Sequence, residues 1–443
     1  MKSVFFVFFT LICLVINVSC RLDAKTSSFP TGDMQFLEQI TADVVEKARV
    51  LPGQQNNTTG GILICPGGFY PAFWIRDYAM SLESEKITPE EQKHALLVTA
   101  AKQQETDWKI ETTGGFVPRG AIADHINYDG SPIFYPGTYD YNNQGGGPWG
   151  VLPCLDDHYF FIHMAWYYVQ KTGDPAILKM EINGFPLIDR LDLAFAIPPS
   201  DPKTHLIYVT DENSGISFGF MDTVRQTGYL LFGSVLKYRA ACELSEMHAL
   251  CKNEEKAGEY KTIAVAIKKN IPETFPIVQG LFRSSTGKSC QPCVWGSAFA
   301  VYVDAVEPAQ AQLISGALCQ SYQEGTLSYK GQVRHLRTTD DFNEQRSWDT
   351  PAIGEGSRNR YQHGAYWGTP VGWVCFVMAK TDESLALKLA QEYIQELREG
   401  DFRKGQGFGS PWECIHPEGN YQQNPIYMTS VTCPLAAFKR LGW

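Results

Sequence analysis

Three acidic segments of the chain sit among aromatics and glycines at the edges of apolar-periodic stretches. The first, Phe73-Trp74-Ile75-Arg76-Asp77-Tyr78, sets an Arg–Asp pair beside an indole. Such a pair can hold vicinal hydroxyls by charge-assisted hydrogen bonds while the indole stacks on a ring face, and read alone it is equally a helix-start ion pair. The second is Gly219-Phe220-Met221-Asp222-Thr223, just ahead of a long apolar-periodic stretch, where Asp222 is either a proton donor or a helix N-cap. The third, Gly409 to Gly419, presents Glu413 behind Trp412, with Glu418 competing for the same role. Hydrolysis of a glycosidic bond needs two carboxyl groups, one protonated to assist the leaving oxygen and one ionised to activate water or attack the sugar carbon. Asp222 and Glu413 are far apart in sequence, so only a fold that closes on itself brings them across one cleft.

The elements that must do this are helices. Apolar periodicity predicts twelve, at about 34–49, 76–86, 90–108, 155–172, 176–195, 223–247, 253–270, 293–304, 307–322, 364–380, 382–398 and 426–440. Thr88-Pro89-Glu90-Glu91 reads as a cap followed by Pro at a first helical position, and Gly173-Asp174-Pro175 separates two helices. The stretches 109–154, 198–222, 325–362 and 400–425 are long, polar and aromatic, which marks them as functional loops. The Tyr-, Gly- and Asn-rich run 128–149 reads as an ordered lip over a cleft.

Composition narrows the class. The 443 residues are 44% hydrophobic, enough for a large core, and the net charge of −10 comes from interspersed acids and bases, which excludes a nucleic-acid binder. Residues 1–20 carry one Lys and an apolar run from Val4 to Ile16, the pattern of an export leader rather than a membrane span. Ser19-Cys20 resembles a lipoprotein cleavage site, which would leave a lipid anchor on Cys20; ordinary cleavage after Cys20 is the alternative. Residues 21–33 then form a linker, and 34–443 the catalytic domain. Ten of the 12 cysteines remain beyond the leader, a number compatible with disulfides, and Cys290-Gln-Pro-Cys293 reads as a disulfide or free thiols rather than a zinc site. Asn56-Asn57-Thr58-Thr59 holds two overlapping glycosylation sequons.

Five motifs in order resemble the six-hairpin glycosidases (glucoamylase, trehalase, processing α-glucosidase), and most closely the amylo-1,6-glucosidase domain of glycogen-debranching enzyme. They are Trp74-Ile75-Arg76-Asp77, Leu155-Asp156-Asp157 through Thr172-Gly173-Asp174, Phe220-Met221-Asp222, Tyr361-Gln362-His363-Gly364-Ala365-Tyr366-Trp367, and Glu413 ahead of Pro417-Glu418-Gly419. Phe220 stands where the family has Trp, and Asp156 and Asp157 compete for one slot. The resemblance implies an all-α (α/α)6 barrel of six helical hairpins with long functional loops, and an inverting hydrolase of an α-linked sugar in an extracellular oligo- or polysaccharide. It implies Asp222 as general acid and Glu413 as general base. Trp74, Arg76, Asp77, Asp156, Tyr366 and Trp367 would bind the sugar, replaceable without unfolding the barrel. Neither a metal nor an organic cofactor is required. Other enzymes of this barrel offer alternatives: epimerases and lyases using His125, His158 or His363, and unsaturated-uronide hydrolases. A non-catalytic glycan-binding lipoprotein is the alternative outside enzymes.

Overall fold

The computed structural model describes residues 29–135, 142, 144–146, 149–350 and 357–443. The expected export leader with Cys20, and residues 136–141, 143, 147 and 148 of the expected aromatic lip, lie outside the described residues. Among these there are twelve α-helices, matching the sequence expectation in order: α1 (Thr31–Ala48), α2 (Ile75–Ser81), α3 (Pro89–Ala101), α4 (Asp156–Thr172), α5 (Leu187–Ala196), α6 (Leu231–Leu250), α7 (Glu254–Thr274), α8 (Val294–Tyr302), α9 (Pro308–Gln323), α10 (Val371–Met378), α11 (Glu383–Gly400) and α12 (Thr429–Leu441). No helix of the described residues is long and apolar enough to cross a membrane.

The even-numbered helices pack in series, α2 on α4, α4 on α6, α6 on α8, α8 on α10, α10 on α12 and α12 on α2. The odd helices lie against them: α3 on α4, α7 on α6, α9 on α10, α11 on α10 and α1 on α12. Sequence explains the sorting. Every residue of α2 and of α8 is buried, as a helix covered on all sides requires, whereas α7 buries only Ala257, Tyr260, Ala264, Ile267 and Ile271, a single stripe at helical spacing. Each fully buried Ile of that stripe contributes roughly 1.5–3 kcal/mol relative to exposure. Local signals set the ends. Thr88 and Glu91 form a reciprocal capping box before α3, and Gly173 ends α4 in a left-handed conformation.

Four boundaries differ from the periodicity reading. Residues 176–195 are a 3₁₀ turn (Pro175–Lys179), a short hairpin and α5. The stretch 223–230 is not helical, because Gly228 is left-handed (φ 78°) and Gly228–Tyr229 pairs with Tyr208–Val209. Residues 102–108 leave the helix, and Tyr366–Trp367 forms a strand ahead of α10. The connecting loops are also less irregular than the pattern suggests. Ser328–Tyr329, Gln332–Val333, Tyr366–Trp367, Trp412–His416 and Tyr421–Pro425 pair in that order as a five-stranded antiparallel sheet, and Ala72–Trp74, His125–Asn127 and Pro132–Ile133 make a three-stranded one. The fold is thus helical with short sheets in its connectors.

Among the described residues all ten cysteines are free thiols, so of the two alternatives at Cys290 and Cys293 the structure has free thiols. Cys293 instead caps α8, its Sγ accepting the Gly296 N–H at 3.2 Å, and Cys290 Sγ accepts from Arg283. Of the two sequons only Asn56 is exposed. The Asn57 amide is buried and donates to Val50 O (2.8 Å) and Gly61 O (2.9 Å).

Candidate active site

The residues bearing chemistry gather where the even helices begin. Trp74 precedes α2, Arg76 and Asp77 lie in its first turn, Asp156 opens α4, and Tyr427 stands two residues before α12. Helix N-termini carry partial positive charge, which favours carboxylates there. A cavity of about 230 Å³ is lined by Tyr70, Trp74, Arg76, Asp77, Gly219, Phe220, Asp222, Tyr361, Glu413, Gln423 and Tyr427.

Glu413 sits on the strand Trp412–His416 rather than on a loop. Side chains alternate along a strand, so Glu413 faces the cavity while Cys414 is buried on the other side. Tyr70 donates to Glu413 Oε1 at 3.0 Å and Asn424 Nδ2 to Oε2 at 2.5 Å. Asn424 is left-handed (φ 44°), a conformation Asn tolerates better than most residues. Burial raises the Glu413 carboxyl to about 8, against the lowering effect of Asn424 and Tyr70, with nearby Asp77 and Asp222 adding to the rise.

Asp222 follows a 3₁₀ turn, Gly219–Met221, and lies nine residues before α6, so it does not cap that helix. It touches cavity solvent but is enclosed by protein, with Phe220 beside it. Burial lifts it to about 6, opposed first by the Gln362 side-chain N–H that meets Oδ1 at 2.8 Å. Asp77 is likewise lifted to about 6 by burial and accepts the Tyr427 hydroxyl at 2.7 Å.

Arg76 is the centre of a buried cluster of acids. Its Nε donates to Asp156 Oδ2 (3.0 Å), and its Nη2 donates to Asp124, to Asp157 Oδ2 (2.9 Å) and to Cys154 Sγ (3.1 Å). Asp124, Cys154 and Asp157 form a donor set of metal-binding type, and the guanidinium supplies the cation at its centre. Burial pushes Asp124 upward, but Arg76 and His125 outweigh it and hold it at about 2, while burial drives Asp157 well above the carboxylate range. Asp156 Oδ2 also accepts the Gly219 N–H at 2.9 Å, and a Cβ on Gly219 would come within 2.0 Å of Arg76 Nε. The cluster therefore seats the turn that carries Asp222. Arg76, 4% exposed, departs from the expectation of a residue replaceable without harm to the fold. Arg76→Ala is expected to cost about 3–5 kcal/mol in denaturant unfolding, because it strands buried carboxylates. A loss under ~1 kcal/mol would show that these charges are relieved elsewhere.

The structure brings Trp74, Arg76, Asp77, Asp222 and Glu413 to one cavity; Asp156, Tyr366 and Trp367 do not line it. Asp156 is fully buried behind Arg76 and Gly219. Tyr366 and Trp367 are neighbours on a strand and so face opposite ways. Tyr366 stacks on His416 (5.5 Å), and Trp367 lies behind Phe220 (5.7 Å) and Tyr361 (5.1 Å). Glu418 is exposed and bound by Asn359 (2.6 Å), away from the cavity. His125, His158 and His363 are buried outside the lining, with His125 stacked behind Trp74 at 4.3 Å, which removes them as groups touching a substrate there. The sequence reading missed Tyr70, Gln423, Asn424 and Tyr427. Tyr70, four residues before Trp74, carried the only local hint.

No protein-family profile and no curated protein sequence matches the chain. Solved structures do. The chain is similar to a rhamnosidase from Klebsiella oxytoca with rhamnose bound, at TM-score 0.55 and 12% identity, covering 94% of this chain and 65% of that one. This chain therefore spans just under two thirds of the rhamnosidase. It is also similar to a GH63 mannosylglycerate hydrolase from Thermus thermophilus in complex with glucose, at TM-score 0.56 and 12% identity, covering 90% and 99%. At this identity the likeness establishes a shared helical fold with these two glycoside hydrolases and no more.

Proposed function

We propose that the chain is a glycoside hydrolase on a closed (α/α)6 barrel spanning about residues 34–443, hydrolysing a glycosidic bond with inversion. The cyclic packing order of the even helices supports closure. The observation that carries the function is that two carboxyls from remote segments, Asp222 and Glu413, line one small cavity beside Trp74, each pushed toward its neutral form by burial. Trp74, Asp77 and Tyr427 hold the sugar ring, Asp222 protonates the leaving oxygen, and Glu413 takes a proton from the attacking water. An export leader at residues 1–20 would direct this activity to an extracellular oligo- or polysaccharide.

Between about pH 6 and about pH 8 the carboxyl pair holds one proton. In the free protein that proton rests more often on Glu413, the reverse of the expected division of labour, because Glu413 is the more deeply buried of the two. The reaction draws on the other arrangement, Asp222 protonated and Glu413 charged, which the donors Tyr70 and Asn424 stabilise. Either arrangement has the same proton count, so kcat/KM is expected to be bell-shaped, with limbs near 6 and near 8 belonging to the pair. A profile that is flat from pH 5 to 9, or has a single limb, overturns the pair.

The cavity also selects by charge. Asp77, Asp222 and Glu413 line it, and among the described residues Arg76 is its one cationic side chain, already committed to Asp124, Asp156 and Asp157. A sugar carboxylate would meet like charge with no free counter-ion, which disfavours the unsaturated-uronide reading. With paired aryl glycosides, the neutral sugar should exceed its uronide by about 10²-fold in kcat/KM. Faster hydrolysis of the uronide reverses this assignment.

A further inference from the structure

Gln362 is fully buried and does not line the cavity, yet it touches the proposed acid. Its Oε1 accepts from Thr223 N (2.8 Å) and from Thr223 Oγ1 (2.8 Å). A backbone N–H can only donate, so this contact fixes which end of the amide is oxygen. The other end is therefore NH₂, and it donates to Asp222 Oδ1 (2.8 Å) and to Gly219 O (3.2 Å). Both lone pairs and both hydrogens of the amide are used. Its main chain is pinned as well, because Trp348 Nε1 donates to Gln362 O at 3.1 Å. The side chain can neither flip nor swing without breaking four hydrogen bonds.

We propose that Gln362 is a positioning residue for Asp222, holding Oδ1 as an acceptor so that Oδ2 is the oxygen that carries and releases the acid's proton. The catalytic consequence rests on the glycosidase reading above; the orientation of the carboxyl does not. The contact has two effects. An N–H on Oδ1 leaves that oxygen no role as a hydroxyl, so the proton takes Oδ2. Donation to the carboxyl also favours its charged form, which opposes the lift that burial gives it. Gln362 acts through Asp222 and never meets the sugar, so its effect belongs in kcat and in the titration of Asp222 rather than in KM.

Two variants test this in the full chain. Gln362→Leu removes both the donor and the acceptor. Gln362→Glu keeps an oxygen for Thr223 and sets a carboxyl where the donor stood. The readout is the protonated-carboxyl stretch of Asp222 followed against pH by difference infrared spectroscopy, identified by its absence in Asp222→Asn. Both variants should move the midpoint up by about one pH unit or more. On a neutral aryl glycoside, the acidic limb of the pH profile should move up with that midpoint, with KM within about twofold. A role confined to stapling the loop would lower the melting temperature and leave the Asp222 midpoint in place, and that result overturns the proposal. If Gln362→Leu does not fold, the Gln362→Glu midpoint decides alone. A shifted midpoint in a protein that hydrolyses no glycoside would uphold the orienting role while removing the hydrolase reading. An active enzyme with an unmoved midpoint does the reverse.

Discussion

Asp222→Asn is expected to leave the protein folded and to lower kcat by about 10²–10⁴-fold, the range attributed to a positioned general acid. Asn keeps an oxygen for the Gln362 N–H and nearly the same volume, so the turn Gly219–Met221 should stand, but it has no acidic proton to give. The competing helix-cap role does not apply, since α6 begins at Leu231 behind the Gly228–Tyr229 strand. Turnover by Asp222→Asn within a factor of a few of the wild type would move the acid elsewhere in the cavity, to Asp77, the remaining carboxyl that lines it beside Glu413. Proton NMR of the first-formed product gives the stereochemistry: inversion accords with a water held between the carboxyls, and retention would recast Glu413 as a nucleophile.

Glu413→Gln should abolish turnover to a similar degree and, more strongly than Asp222→Asn, change the pH dependence of stability. The folded-state value of Glu413 lies at about 8, above its ordinary 4.5. The fold thus favours the neutral form, and the associated stability is complete below about pH 4.5 and lost as pH rises through 8. Gln is neutral at every pH and escapes that loss. The variant and the wild type should melt alike near pH 4.5, and the variant should be the more stable at pH 9 by on the order of a few kcal/mol. Asp77 and Asp222, raised to about 6, and Glu396, raised to about 7 by burial beneath Ser410, tilt the wild type the same way. Parallel melting curves across this range would show that Glu413 is charged in the folded protein throughout.

What could be read from the sequence follows from how locally each feature is encoded. All twelve helices were legible because their signals, such as the capping box at Thr88–Glu91 or the buried stripe of α7, lie in contiguous residues. Short strands were not legible. Tyr366–Trp367 is too brief to show alternation, and without it two adjacent aromatics look able to serve one sugar. Asp222 and Glu413 stood out by type and by their Gly and Trp neighbours. The residues that tune them did not, because their contacts span the chain: Tyr70 to Glu413 across 343 residues, Gln362 to Asp222 across 140, and Tyr427 to Asp77 across 350. Asp156 was legible as important, but its task of seating Gly219 under Arg76 depends on a three-way contact that spacing does not encode.

The joint between α2 and α12, where Ser81 meets Thr432 across 351 residues, bears on the order in which this molecule comes into being. Hairpins such as α6–α7 are neighbours in the chain and can form at once. A contact between such distant partners carries a larger loop-closure entropy, and folds dominated by such contacts form slowly. Asp77 gains Tyr427 only across that same joint. A refolding chain would recover most of its helix before its cavity is assembled, so ellipticity should return ahead of ligand binding.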